Sequence, residues 1–222
     1  MSLKPVKKSD QGKLWMTPRR DRPRKIHPEY HLIITEGTKT EPLYFQRIKE
    51  IINQRYPERI QLTIIGQGDH TVNLFAQAKR IVHDDPNGYK HVWIVYDTDD
   101  FPAEDINKVP DLCRNSSSED CRYHAIWSNQ CIELWYLLHY SFFQSDIHRK
   151  EYSSKLSEYL KAESQGPYKK NRADMFDILR PNLPAALRNA EKLDDLNAGK
   201  TPAESAPGTK VYEFLEKIKA YI

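Results

Sequence analysis

The sequence predicts an α/β fold in three layers, a mainly parallel central sheet between helices, continued by a helical C-terminal appendage. Three observations carry this expectation. Short β-rich apolar runs alternate with helical periodicity from Tyr30 to His139. One of the runs, His91–Tyr96, is apolar on both faces, as a central parallel strand should be. Beyond about residue 145 the strand signal stops and helical spacing continues alone. With 222 residues, 39% apolar and 29% charged, the chain is long enough for one full core with extensions.

The elements follow in order. Tyr30–Thr35 reads as a first strand ending at Glu36-Gly37, and Pro42–Ile52 has helical spacing with Leu43, Ile48, Ile51 and Ile52 on one side. Ile60–Ile65 reads as a second strand closing at Gly66-Gln67-Gly68, and Val72–His83 as a helix stopped by Asp84-Asp85-Pro86-Asn87-Gly88. The strand His91–Tyr96 runs straight into Asp97-Thr98-Asp99-Asp100. A polar helix over Ala103–Ser116 leads to a fourth strand, Tyr123–Trp127, and to an apolar helix over Gln130–His139. Asn129 stands where it would cap that last helix, with Glu133 one turn later on the same face and near the edge of an apolar stripe of Cys131, Leu134, Trp135 and Leu138. Helical stretches over Glu151–Ala162, Met175–Asp195 and Val211–Tyr221 are separated by Gln165-Gly166-Pro167 and by the small-residue segment Ala198–Gly208. The division expected is a basic arm over 1–28, an α/β core over 29–145 and a helical appendage over 146–222.

Charge is uneven behind a formal net of +3. Residues 1–28 hold nine Lys and Arg against Asp10 and Asp21, so this arm carries +7 and the remainder −4. Rich in Pro and poor in apolar periodicity, the arm is expected to be disordered alone and attracted to polyanions, with Arg19, Arg20 and Arg24 as candidate phosphate contacts. A merely solubilising arm is the bland alternative. No apolar run approaches the roughly 20 residues that span a bilayer, and the N-terminus lacks the apolar core of a secretory signal. A cytoplasmic protein with no membrane partner is therefore expected. Cys113, Cys121 and Cys131 have neither CxxC spacing nor paired histidines beside them, which argues against a disulfide framework or a zinc site. His83, His91, His124 and His139 fall on apolar stretches and read as core or edge histidines.

In open α/β sheets functional groups collect at the carboxyl ends of the strands, and here two of those ends are acidic. The first strand ends at Glu36 and the third at Asp97 and Asp99. Alternate residues of an extended chain point the same way, so the Asp-x-Asp pair can address one divalent cation, Mg2+ or Mn2+, with Glu36 completing the site from the neighbouring strand. Gly37 removes a side chain where backbone would approach a phosphate. Gly66-Gln67-Gly68 lacks the third glycine of a nucleotide loop. The aromatic set Trp135, Tyr136, Tyr140, Phe142 and Phe143 has helical spacing and reads as core. Lys169, Lys170 and Arg172 are candidate phosphate contacts, as is Lys39 beside the first acidic turn.

Glu36-Gly37 followed by an apolar strand and Asp97-x-Asp99 resembles the Toprim domain of topoisomerases, primases and OLD-type nucleases. More specifically, Ile33–Pro42, Tyr96–Asp100 and Ser128–Trp135, in that order, resemble the RloB-like proteins, encoded near restriction systems and associated with phage defence. The resemblance implies a Toprim-like core and a metal-dependent endonuclease acting on RNA, with transfer RNA one candidate, in preference to DNA. It implies Glu36 as metal ligand or general acid/base, and Asp97 and Asp99 as metal ligands. Glu41 and Glu133 match extra acids of the nuclease-like branch and are candidates for a second metal ion, although either can instead cap or salt-bridge a helix. A dehalogenase-like phosphatase would need Thr at position 101, where Phe101 stands. A non-catalytic alternative is a Toprim-derived module that holds nucleic acid and works with a partner ATPase.

Overall fold

Stretches rich in β-branched and aromatic residues form four strands of seven residues each: β1 (Glu29–Thr35), β2 (Ile60–Gly66), β3 (His91–Asp97) and β4 (Arg122–Ser128). The structure is a computed structural model describing residues 27–68, 71–98, 101–145 and 147–222. The strands lie in the order β2-β1-β3-β4 with every pairing parallel. Ile33 stands opposite both Ile64 and Trp93, and Trp93 opposite His124. The first and third strands are therefore neighbours, as their acidic ends required. All six residues His91–Tyr96 are buried, in keeping with a central strand.

The helices are α1 (Thr40–Arg55), α2 (Thr71–Asp84), α3 (Ala103–Ser116), α4 (Glu133–Leu137), α5 (Arg149–Ala162), α6 (Met175–Leu179), α7 (Leu183–Leu196) and α8 (Val211–Ile218). Strand alternation splits them between the two faces of the sheet. Leu32, Ile34, Val92, Ile94 and Tyr96 pack with Leu74 and Phe75 of α2 and Ile106 and Val109 of α3. Ile33, Trp93 and Val95 pack on the other face with Phe45 and Ile48 of α1 and with Leu156, Leu179 and Phe214 from the C-terminal helices. The three layers follow, and the C-terminal segment shares one apolar cluster with the sheet. Phe45 is fully buried with its ring edge-on to Phe214 at 5.3 Å; truncating such a side chain to Ala costs roughly 3–5 kcal/mol.

Two expectations need correction. The helix expected over Gln130–His139 is only the five-residue α4, and its N-cap is Ile132, not Asn129. The Asn129 amide donates to the Gly208 carbonyl at 2.7 Å, and Ser128 bridges Thr209, which keeps the chain extended past the end of β4. Gln130 then turns it in the left-handed region (φ 58°), so helical geometry begins later. The helix expected over Met175–Asp195 is interrupted by a 3-10 turn at Arg180–Asn182. Pro181 and Pro184 lack the amides a continuous helix would need there. Among the described residues, no helix is long and apolar enough to cross a membrane.

Candidate metal centre

The carboxyl ends of β1 and β3 are held by a short set of hydrogen bonds. The Glu36 amide donates to the Val95 carbonyl at 2.9 Å, and the Gly68 amide donates to the Glu36 carbonyl at 2.9 Å, so the turn after β1 is clamped between β3 and the chain leaving β2. The Thr35 hydroxyl donates to the Gly37 carbonyl at 2.8 Å. A Cβ on Gly37 would lie 2.0 Å from Glu41 Oε2; the Glu41 carboxylate thus rests directly on the glycine that follows Glu36. Gly66 is needed for a similar reason, because a Cβ there would meet the Pro42 ring at 2.8 Å and the Gly37 carbonyl at 2.9 Å.

Asp97 is the last residue of β3 and lies opposite Ser128. Alternation places it on the same sheet face as Trp93 and Val95, the face that α1 and α4 cover. Glu133, the first residue of α4, is 2% exposed, not at an edge as its spacing suggested. The Tyr168 hydroxyl donates to its Oε1 at 2.9 Å. Among the described residues no Lys or Arg lies within ion-pair distance of Glu133. Burial, and then the charges of Glu133 and Asp97, push the Cys131 thiol well above its ordinary range, so both carboxylates act on one sulfur. Burial, with Glu133 and Glu41 among the further causes, likewise raises the phenols of Tyr136 and Tyr168. Asp97 and Glu133 thus both act on Cys131, Glu133 and Glu41 both act on Tyr136 and Tyr168, and Glu36, at the adjoining strand end, acts on Tyr96.

The donor set fits a hard divalent cation, which takes carboxylate, carbonyl and hydroxyl oxygens. Two further buried oxygens support the fit: Thr98 Oγ1 and Asn129 Oδ1, beside Asp97 and on the chain after β4, have no hydrogen-bond partner among the described residues. Asp99 and Asp100, which follow Thr98 in the chain, lie outside the described residues, as do Arg19, Arg20 and Arg24.

The candidate phosphate contacts fall in different settings. Lys39 precedes α1 and is exposed beside the Glu36-Gly37 turn; Lys169 and Lys170 are exposed next to buried Tyr168. Arg172 shapes their loop: its guanidinium donates to both carboxylate oxygens of Asp174, at 2.8 and 2.9 Å, and to the Gln165 carbonyl at 2.7 Å. The aromatic set divides as well, with Trp135 and Tyr136 fully buried and Tyr140, Phe142 and Phe143 half-buried against the core.

A second polar cluster sits at the amino end of the sheet. Glu29 Oε1, His31 and His91 place donor atoms within 4.8 Å of one another, close enough to hold one metal ion. The same atoms already satisfy one another. Glu29 Oε1 is 2.9 Å from His31 Nε2, 3.2 Å from His91 Nε2 and 3.4 Å from Lys217 Nζ. The Trp93 indole, which can only donate, gives its N–H to His31 Nδ1 at 3.2 Å, so the neutral ring carries its proton on Nε2, pointing at Glu29. A metal on Nε2 would force that proton to Nδ1, against the indole N–H. His91 Nδ1 pairs with His124 Nε2 at 2.8 Å. Burial holds all three imidazoles neutral, lowering His91 to about 3 and His124 to about 4, while the His31 hydrogen bond lowers Glu29 to about 2. His91 and His124 are the core or edge histidines expected. Their partnership with Glu29 and His31 depends on the β1–β3 register, His31 opposite His91, and the i, i+2 spacing of Glu29 and His31 was its one local signal.

A family model described as RloB-like protein matches residues 31–218, and the chain belongs to that family. No curated protein and no solved structure matches it.

Proposed function

We propose that this RloB-like chain is a metal-dependent endonuclease that cleaves nucleic acid, RNA in preference to DNA, in antiviral defence. The observation that carries the reading is Glu133: a carboxylate 2% exposed, without a Lys or Arg partner among the described residues, next to Asp97 and Glu41. A buried charge needs a counter-charge, and a cation bound at Glu133 would supply it. Asp97, Glu133, Glu41 and Glu36 would hold Mg2+ or Mn2+, with Asp99 following along the chain. When bound, such an ion polarises phosphoryl oxygens and lowers the pKa of water.

The protein's own residues take the remaining roles. Gly37 leaves room for the Glu41 carboxylate against the backbone after Glu36, and Lys39, Lys169 and Lys170 hold flanking phosphates as point charges. Glu36, on the strand next to Asp97, takes or returns the proton of the attacking water. The defence setting and the preference for RNA come from the family resemblance alone. The test is cleavage of labelled transfer RNA, messenger RNA and duplex DNA side by side with Mg2+ or Mn2+. Metal-dependent cutting lost in Asp97→Asn supports the reading. Tight binding without any cutting would favour a non-catalytic module acting with a partner ATPase.

A further inference from the structure

The loop between α5 and α6 reaches back over 30 residues of chain to touch the acidic centre, and it does so through one hydroxyl. Tyr168 is 9% exposed, with its ring edge-on to Tyr136 at 6.4 Å and its hydroxyl on Glu133 Oε1 at 2.9 Å. The loop is braced by its own bonds. Ser164 and Gly166 turn in the left-handed region, and the Gln165 amide returns to the Leu160 carbonyl at 2.8 Å. Arg172 locks Asp174 to the Gln165 carbonyl, and the Tyr168 amide donates to Ser157 Oγ on α5 at 3.1 Å. A phenol delivered by a braced loop has a defined position. Glu133 needs that definition, because its side chain has three rotatable bonds and no ion pair among the described residues.

We infer that Tyr168 is a positioning residue: its hydroxyl occupies one lone pair of Glu133 Oε1 and thereby aims the rest of the carboxylate at a hard divalent cation. This rests on the proposed metal centre and adds to it the part of the chain that orients a ligand. An outer hydrogen bond of this kind fixes ligand direction and basicity, and its loss typically weakens metal affinity about 10–100-fold. The phenol is suited to the task because it donates to the carboxylate whether or not a metal is bound. Lys169 and Lys170 follow it directly, so the residue that aims the ligand also anchors two phosphate-binding cations beside it.

The test is a Mn2+ titration of the full chain by calorimetry, comparing wild type, Tyr168→Phe and Tyr140→Phe, with thermal unfolding recorded without metal. Tyr140 is the matched control, since its hydroxyl also donates to a glutamate, Glu163 at 3.1 Å, away from the acidic centre. The expected result is Mn2+ affinity about 10–100-fold weaker in Tyr168→Phe and unchanged in Tyr140→Phe, with both variants cooperatively folded. If Tyr168→Phe fails to fold, Tyr168→Met, which fills the space with a flexible side chain and has no donor, should bind Mn2+ more weakly than wild type; affinity equal to wild type would count against the inference. Wild type that binds Mn2+ no better than Tyr168→Phe overturns the positioning role alone. Wild type that binds no Mn2+ at all overturns the metal centre and this inference with it.

Discussion

The two ends of the same parallel sheet handle charge in opposite ways. At the amino end a single carboxylate, Glu29, is met by His31, His91 and Lys217, with Trp93 and His124 completing a closed set of donors and acceptors. At the carboxyl end Glu133, whose charge acts on the same residues as those of Asp97 and Glu41, is met by one phenol, and among the described residues buried oxygens of Thr98 and Asn129 have no hydrogen-bond partner. A closed network stabilises a fold and asks for nothing more. An open one costs free energy until something binds. The position of charge in an α/β sheet is thus a weaker guide to function than whether its hydrogen bonds close.

The largest effect expected is on chemistry at the carboxyl end. Asp97→Asn should abolish metal-dependent cleavage and weaken Mn2+ affinity by at least about 100-fold, beyond the range of an outer-shell change. Its thermal stability without metal should hold or rise slightly as repulsion among carboxylates falls. Cleavage by Asp97→Asn at the wild-type rate would remove Asp97 from the site.

The amino end should respond in stability instead. His31, His91 and His124 have folded pKa values depressed below the unfolded value, so the unfolded chain binds protons that the folded chain refuses. Stability is then full above about pH 6.5 and falls as pH drops toward 3–4. Glu29, lowered to about 2, adds its own loss below its unfolded value of 4.5. The groups that set this window are Glu29 and His31 on β1, His91 on β3, Arg122 and His124 on β4, and Lys217 on α8. Urea unfolding from pH 7 to pH 4 reads the slope, and His91→Ala should flatten it while lowering stability at pH 7 by roughly 2 kcal/mol. A fall in Mn2+ affinity in His91→Ala would reverse the contrast and put the metal at the amino end.

How far the sequence reveals this depends on the range of the interaction involved. Strand and helix limits in 29–128 are legible to within three residues, because apolar runs such as Leu32–Ile34 and Val92–Tyr96 declare themselves locally. The acidic strand ends are legible for the same reason. Glu133 is not, since its burial depends on a loop 35 residues away and on chain around Gly208 that holds residues after β4 extended. The closed amino-end cluster was equally hidden, because it exists only once β1 and β3 are in register. The interruption at Pro181 and Pro184 was written in the sequence and outweighed by apolar periodicity on either side of it.

Smaller effects sharpen the comparison. Replacing Lys169 and Lys170 by Gln should reduce the slope of log affinity against log salt for single-stranded RNA by about 0.7 per lost phosphate contact, leaving unfolding unchanged. An unaltered slope would place the substrate elsewhere. Gly37→Ala should be smaller still in stability, since the atom a new Cβ meets is the end of the flexible Glu41 side chain. Its effect should appear as weaker Mn2+ binding, because the Glu41 carboxylate must leave its place beside Glu36. Metal affinity equal to wild type would show that Glu41 is not a ligand.

The central claim is that the open, carboxyl end of the sheet is the metal centre, and anomalous scattering from a crystal soaked in Mn2+ tests it most directly. The account predicts an anomalous peak about 2.0–2.4 Å from oxygens of Asp97 and Glu133, with Tyr168 still bonded to Glu133. A peak confined to Glu29, His31 and His91, with none among the carboxylates, would contradict it.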